Sequence, residues 1–281
     1  MMKRRPYVAG MFYESSPDRL RKQIEECFLH RIGPGKLPEK VVEHNIIGLI
    51  SPHAGYMYSG PVAAHGYYIL SKSKKPSTVI ILGPNHSGLG APIAVMDEGV
   101  WEMPLGDVDI DIECAKYIID KAPIVTSDEL AHRYEHSIEV QIPFLQYIYR
   151  SSFKIVPIAM LMQNFEAARI LGEAIAKCAQ EHDVVVIAST DFTHYEPVEK
   201  ARAKDGIAIE HILKLNAKGL YDAVIENDIT MCGYGPVMTL IEAVKKLGCR
   251  DVKLLKYATS GDITGDYSSV VAYASLVFLK E

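Results

Sequence analysis

The sequence predicts an α/β fold: one domain over residues 1–281, with a mixed, mostly parallel sheet and helices on both faces. Two observations carry this reading. Short β-branched apolar runs alternate along the chain with longer segments of helical spacing, the pattern of a parallel sheet with crossover helices. Three of those runs also end alike. The run 45–50 leads into Ser51-Pro52-His53-Ala54-Gly55-Tyr56. The run 78–82 leads into Gly83-Pro84-Asn85-His86-Ser87-Gly88, and the run 183–188 into Ser189-Thr190-Asp191-Phe192-Thr193-His194. Each strand delivers a histidine to the loop beyond its carboxyl end, where open α/β sheets bind ligands. If the three strands are adjacent and parallel, the histidines converge on one cleft.

The remaining elements follow in order. Residues 6–15, with Gly10 and several aromatics, read as a loop. Ser16-Pro17 opens a helix over about 17–30, with serine at the N-cap and proline at the first position. Gly33-Pro34-Gly35 ends it. Helical spacing over 60–71 is opened by Pro61. Residues 92–111 alternate between apolar and turn residues, which suits a hairpin or excursion. Helices are expected over 111–121 and 134–149, with Pro143 either kinking the second or moving its boundary. Strand 154–160 precedes helix 164–181, and helices near 197–215, 217–226 and 236–247 follow the third histidine loop, the last stopped by Gly248. Strands near 252–258 and 268–279 flank a turn-rich segment and read as antiparallel.

Composition narrows the function. A net charge of −5 and no basic stripe argue against a nucleic-acid partner. No apolar run approaches membrane-spanning length. Lys3-Arg4-Arg5 has no apolar segment behind it, so no signal peptide is read. Five irregularly spaced cysteines suit a reducing cytoplasm and not a disulfide framework. The spacing in Gly83-Pro84-Asn85-His86-Ser87-Gly88 fits neither a dinucleotide fingerprint nor a phosphate loop, so no nucleotide cofactor is expected.

The candidate site residues are His53, His86 and His194, with Asp191 either placed to fix the tautomer of His194 or capping a short turn, or both. Cys232 sits in the glycine-rich loop Met231-Cys232-Gly233-Tyr234-Gly235, whereas Cys27, Cys114, Cys178 and Cys249 read as apolar filler. His132 and His136 are four apart, with Glu139 three beyond. On a helix they would share a face, and Arg133 and Glu135 mark it as partly solvated. The zincin pattern is absent, so His136 and Glu139 are expected to support the site or face a substrate. Imidazoles, a thiolate and a carboxylate suit iron, copper or zinc, not magnesium or calcium.

At these residues the chain resembles the Memo family of the class III extradiol dioxygenase (LigB-like) superfamily. The similarity runs through residues 5–13, Pro52-His53-Ala54-Gly55-Tyr56, Gly83-Pro84-Asn85-His86, Glu135-His136-Ser137-Ile138-Glu139, Asp191-Phe192-Thr193-His194-Tyr195, Met231-Cys232-Gly233 and Thr259-Ser260-Gly261-Asp262. The resemblance implies a LigB-like α/β fold and a cleft in which His53, His86 and Cys232 hold the metal positions, with Asp191 and His194 beside them. It implies iron or copper ahead of zinc, with Tyr56, His136 and Glu139 binding substrate or supporting the ligands. It also implies a possible system with AMMECR1-like and radical-SAM proteins, and a small-molecule or peptide ligand. Ring-cleaving relatives use two histidines and a carboxylate; Cys232 in the carboxylate's place speaks against catechol cleavage. Three functions stay open: a metal-dependent oxidoreductase, a non-catalytic peptide- or protein-binding module, and a thiol hydrolase built on Cys232, His194 and Asp191.

Overall fold

The computed structural model describes residues 2–39, 44–150 and 153–280; the ends of the predicted domain, residues 1 and 281, lie outside them. β1 (Lys3–Arg4) and a long turn precede α1 (Pro17–Leu29), β2 (Ile46–Ser51), α2 (Tyr56–Leu70) and β3 (Thr78–Pro84). The excursion carries β4 (Ile93–Val95), β5 (Val100–Trp101) and β6 (Val108–Asp109), followed by α3 (Ile112–Lys121) and β7 (Thr126–Ser127). Next come α4 (Ile142–Tyr149), β8 (Lys154–Met160), α5 (Phe165–Glu181), β9 (Val184–Ser189) and β10 (His194–Glu196). The chain ends with α6 (Val198–Leu213), α7 (Ala217–Glu226), α8 (Tyr234–Lys246), β11 (Asp251–Thr259), α9 (Gly261–Thr264) and β12 (Val270–Leu279).

The main sheet runs β10-β12-β2-β9-β3-β8-β4-β7, with β11 also paired to β12. Its centre, β2-β9-β3-β8, is parallel. β12 and β4 flank that centre antiparallel to it. The three strands that carry the histidine loops are therefore neighbours of one direction, with β9 in the middle. Successive side chains along these strands enter different layers, as the twofold period of a strand requires. Ile50, Ile80, Leu82, Val156 and Val186 pack with α3, α5, α6, α7 and α8. Leu49, Val79, Ile81, Ile155 and Val185 pack with α1, α2 and α4. With apolar layers on both sides, the central strands tolerate almost no polar residue, which is why they read as continuous apolar runs. No helix among the described residues is long and apolar enough to cross a membrane.

The structure departs from the sequence expectations in three places. Helix α2 begins at Tyr56, so Pro61 lies inside it and does not open it. The hydrogen bond that Pro61 cannot make would run to Met57, which is 64% exposed, so water can take that carbonyl. The excursion over 92–111 does contain an antiparallel pair, β5 with β6, but it is split between two sheets: β4 joins the main one, while β5 and β6 form a small sheet with β1. The predicted helix 134–149 exists only as α4. Residues 133–138 are not helical, a 3-10 turn covers Glu139–Gln141, and Pro143 sits in the first turn of α4, where its missing N–H costs nothing.

Buried polar contacts displace the helix there. Glu139 is fully buried, and its carboxylate accepts from the Arg4 guanidinium, the Tyr7 and Val8 backbone N–H groups at 2.7 and 3.0 Å, and the Tyr13 hydroxyl at 2.7 Å. Arg4 also donates to the Glu135 carbonyl at 2.6 Å and the His132 carbonyl at 3.0 Å, and stacks 4.2 Å from the Trp101 ring. The N-terminal strand is thereby tied to the segment that carries His136. Arg4→Ala would leave Glu139 charged and buried without its cation, a loss of about 3–5 kcal/mol for an ion pair of this kind. A correspondingly lower denaturation midpoint is expected in equilibrium urea unfolding; an unchanged midpoint would contradict the tether.

Candidate functional site

His53 follows β2 and is 2% exposed. Its backbone N–H donates to Asp191 Oδ1 at 2.8 Å, and its ring Nδ1 lies 2.9 Å from Ser189 Oγ. Ring Nε2 points the other way, 3.2 Å from Cys232 Sγ. His86 follows β3. Its Nδ1 lies 2.9 Å from Glu135 Oε1, and its backbone N–H donates to the other oxygen of the same carboxylate. A carboxylate only accepts, so His86 Nδ1 carries a proton, and in the neutral ring Nε2 is left bare. One donor atom from each of His53, His86 and Cys232 lies within 4.8 Å of the others.

Cys232 reaches this point because its loop is pressed against the end of β9. A Cβ on Gly233 would fall 2.4 Å from the Ser189 carbonyl oxygen, and one on Gly235 would fall 2.8 Å from Gln163 Cβ. Gln163 clamps the loop, donating to the Cys232 carbonyl at 2.9 Å and accepting from Gly235 N–H at 2.8 Å. The sulfur accepts from Asp191 N–H at 3.2 Å.

His136 completes the cluster. Its ring stacks on His86 at 4.7 Å and 20°, lies 5.5 Å from the His53 ring, and meets Phe12 at 4.9 Å. With His86 and Glu135 it forms a second group of donor atoms within 4.8 Å of one another, sharing His86 with the first.

Burial sets the charge state. It drives the His53 pKa well below the ordinary range, helped by the neighbouring His86, His136 and His194. It pushes the Cys232 thiol up, with the Asp191 carboxylate adding to the effect. It raises Asp191 to about 6 against the opposing hydrogen bonds from the His53 and Ala54 backbone. Glu135 resists the same burial: hydrogen bonding and charge from His86, then His136 and the Ser137 backbone, hold it at about 2. His86 correspondingly moves up, since Glu135 outweighs the burial that would lower it. Without a cation, Cys232 and His53 form a neutral thiol–imidazole pair.

Several sequence expectations need correcting. Asp191 does not orient His194: it caps the His53 loop, and His194 Nδ1 instead meets the Thr230 carbonyl at 2.8 Å. The chain Cys232–His194–Asp191 is therefore not assembled as a hydrolase triad; the imidazole in contact with the sulfur is His53. Glu139 is turned away to the N-terminal segment. Tyr56 is buried against Tyr13 and Phe144, its hydroxyl donating to the Val140 carbonyl at 2.6 Å. His132 is fully buried beside Trp101 and does not share a face with His136. Glu135 is not solvated but 1% exposed. Cys249 packs against the edge of the core and is only partly buried.

Sequence reasoning missed Glu135, Ser189 and Gln141 as parts of the site. Glu135 stands directly before His136 in a quoted motif, which was the available signal. Ser189 and Gln141 carry none, because a serine at a strand end reads as turn chemistry.

The profile described as Memo-like protein matches residues 4–277. A MEMO1 family protein of Methanopyrus kandleri is 52% identical over 282 residues, covering 99% of this chain and 100% of its own length. A MEMO1 family protein of Methanocaldococcus jannaschii is 53% identical over 282 residues, covering 98% of each. Among solved structures, an uncharacterized protein of Escherichia coli K12 superposes with a TM-score of 0.56 at 13% identity, covering 83% of this chain and 99% of that one. That likeness concerns the fold alone.

The charge states predict slow thiol chemistry. In metal-free protein near pH 7.5, Cys232 should react with iodoacetamide about tenfold or more slowly than an unperturbed thiol, and faster as pH rises. Peptide mass spectrometry of the alkylated protein reads this. Rapid labelling at neutral pH would mean an activated thiolate and restore the hydrolase reading.

Proposed function

The chain belongs to the Memo family, and on that premise and its donor set we propose that it is a metal-dependent redox protein holding iron or copper on His53, His86 and Cys232. The observation that carries the proposal is the convergence of three donor atoms within 4.8 Å, while the other nitrogen of each histidine is engaged elsewhere. That is how metal-ligating histidines are held: the outward nitrogen fixes ring and tautomer, and the inward one keeps its lone pair. Two imidazoles and one sulfur form a borderline-to-soft set that favours iron, copper or zinc over oxygen-seeking cations.

Bound there, iron or copper supplies one-electron chemistry, which zinc does not. The chain's own residues have separate tasks. Glu135 sets the orientation and basicity of His86. Asp191 holds the backbone of the His53 loop in place. His194, partly exposed, directs Nδ1 to the Thr230 carbonyl and so keeps Nε2 as an acceptor able to take a proton from a small organic substrate. His136, stacked on His86 and backed by Phe12, closes one side of the cluster.

Metal content tests the reading. Protein purified without oxygen should carry near-stoichiometric iron or copper, and His53→Ala and Cys232→Ser should each lose most of it while remaining folded. Glu135→Gln should weaken binding by about 10–100-fold, the usual effect of removing such a carboxylate partner, as read by competition with a chelator. Zinc alone, or no metal after anaerobic reconstitution, would overturn the redox assignment and leave the cleft as a binding site.

A further inference from the structure

We propose that Ser189, at the end of β9, is a positioning residue that locks His53 in the Nδ1–H tautomer and so keeps the Nε2 lone pair aimed at Cys232 and His86. The inference rests on the proposed metal site for its functional meaning, but its evidence is the hydrogen-bond network behind His53.

That network leaves little choice. The Tyr67 hydroxyl lies 2.6 Å from Gln141 Oε1, and Gln141 Nε2 lies 3.0 Å from the Pro52 carbonyl oxygen. A carbonyl only accepts, so the amide end facing Pro52 is the NH2 group, and Oε1 receives the Tyr67 proton. The same Nε2 lies 2.8 Å from Ser189 Oγ and therefore donates to it. Ser189 Oγ is also 2.6 Å from the Ser137 carbonyl oxygen, which can only accept. The single hydroxyl proton goes there. With its proton committed to Ser137 and one lone pair taken by Gln141, Ser189 can meet His53 Nδ1, 2.9 Å away, only as an acceptor. His53 Nδ1 must then bear the hydrogen, and the neutral ring has its bare nitrogen at Nε2.

Ser189, Ser137, Gln141, Tyr67 and His53 are all almost completely buried, so water does not offer Nδ1 a substitute partner. The alternative tautomer would leave His53 Nδ1 facing an oxygen with no proton to give, a buried acceptor–acceptor contact that costs about the price of an unmade hydrogen bond. His86 reaches the same tautomer by a different device, the charged carboxylate of Glu135. A neutral hydroxyl behind one ligand and an anion behind the other makes the two imidazoles unequal donors.

Nitrogen-15 NMR of histidine-labelled, metal-stripped full-length protein reads the tautomer directly, using long-range ring correlations and His53→Gln to identify the signal. The wild type should show His53 wholly as the Nδ1–H form. Ser189→Ala should yield a mixture of tautomers and about 10–100-fold weaker iron or copper binding, whereas Ser189→Thr, which keeps the hydroxyl, should restore both. Gln141→Met should leave the tautomer fixed, since the Ser137 carbonyl still takes the hydroxyl proton. A wild-type Nε2–H signal would overturn the proposal even if the variants fail to fold, and so would a single unchanged tautomer in Ser189→Ala. A correct tautomer pattern in a wild type that takes up no metal would sink the metal reading and leave the positioning role standing.

Discussion

The constraint on which this cleft depends is the burial of two carboxylates four residues apart, on either side of His136. Taking a carboxylate out of water costs several kcal/mol unless hydrogen bonds and opposite charge replace the lost solvent. Glu135 accepts from the His86 backbone and ring and from the backbone N–H groups of His136 and Ser137. Glu139 accepts from Arg4, Tyr13 and the backbone of Tyr7 and Val8. Arg4 joins the two, donating to the Glu135 carbonyl and the Glu139 carboxylate. A continuous helix through this stretch would commit its N–H groups to carbonyls four residues back and leave Glu135 unsatisfied. The irregular backbone over 133–138 is the conformation that lets one side chain reach both its own segment and the loop after β3.

This explains which parts of the molecule were legible in sequence. The three strand-to-histidine transitions were, because a buried parallel strand demands an uninterrupted apolar run and its end is marked by the first polar or turn residue. The pairing of β11 with β12 and the helices α1, α3, α5 and α8 followed from period and punctuation in the same way. The segment 134–149 was not. Of the apolar residues that make its pattern, Ile138, Phe144 and Leu145 are buried but Tyr134 is 48% exposed, so the pattern reported burial only in part. Helical spacing there reflected a 3-10 turn running into α4, and the buried Glu139 was satisfied by partners more than a hundred positions away. Periodicity sees local geometry; it cannot see Arg4 or Tyr13 arriving from the other end of the chain.

The same limit separates the donors from their supports. His53 and His86 stand between prolines and glycines at strand ends, and Cys232 stands in a glycine-rich loop before α8. Ser189, Gln141 and Gln163 are ordinary polar residues whose importance lies in direction. Gln163 holds the Cys232 loop through two backbone hydrogen bonds, and the absence of a Cβ at Gly233 and Gly235 lets that loop close on β9. Asp191 was assigned the wrong neighbour. Sequence proximity favoured His194, three residues on, whereas β2 and β9 run side by side and bring the His53 backbone within 2.8 Å.

The resting chemistry of the cleft argues for a cation and against a nucleophile. A cysteine works as a nucleophile when a neighbouring positive charge holds it as thiolate. Here burial raises the thiol, the Asp191 carboxylate raises it further, and burial with three other imidazoles suppresses protonation of His53. No group in contact with the sulfur carries the charge that activation needs. What the fold does provide is a neutral thiol within hydrogen-bond distance of His53 Nε2, 3.2 Å away, with a donor atom of His86 inside the same 4.8 Å group. A metal ion there would take the place of the thiol proton and convert Cys232 to thiolate on binding. The carboxylate of Glu135 is itself engaged by the ring and backbone of His86 and by the backbone of His136 and Ser137.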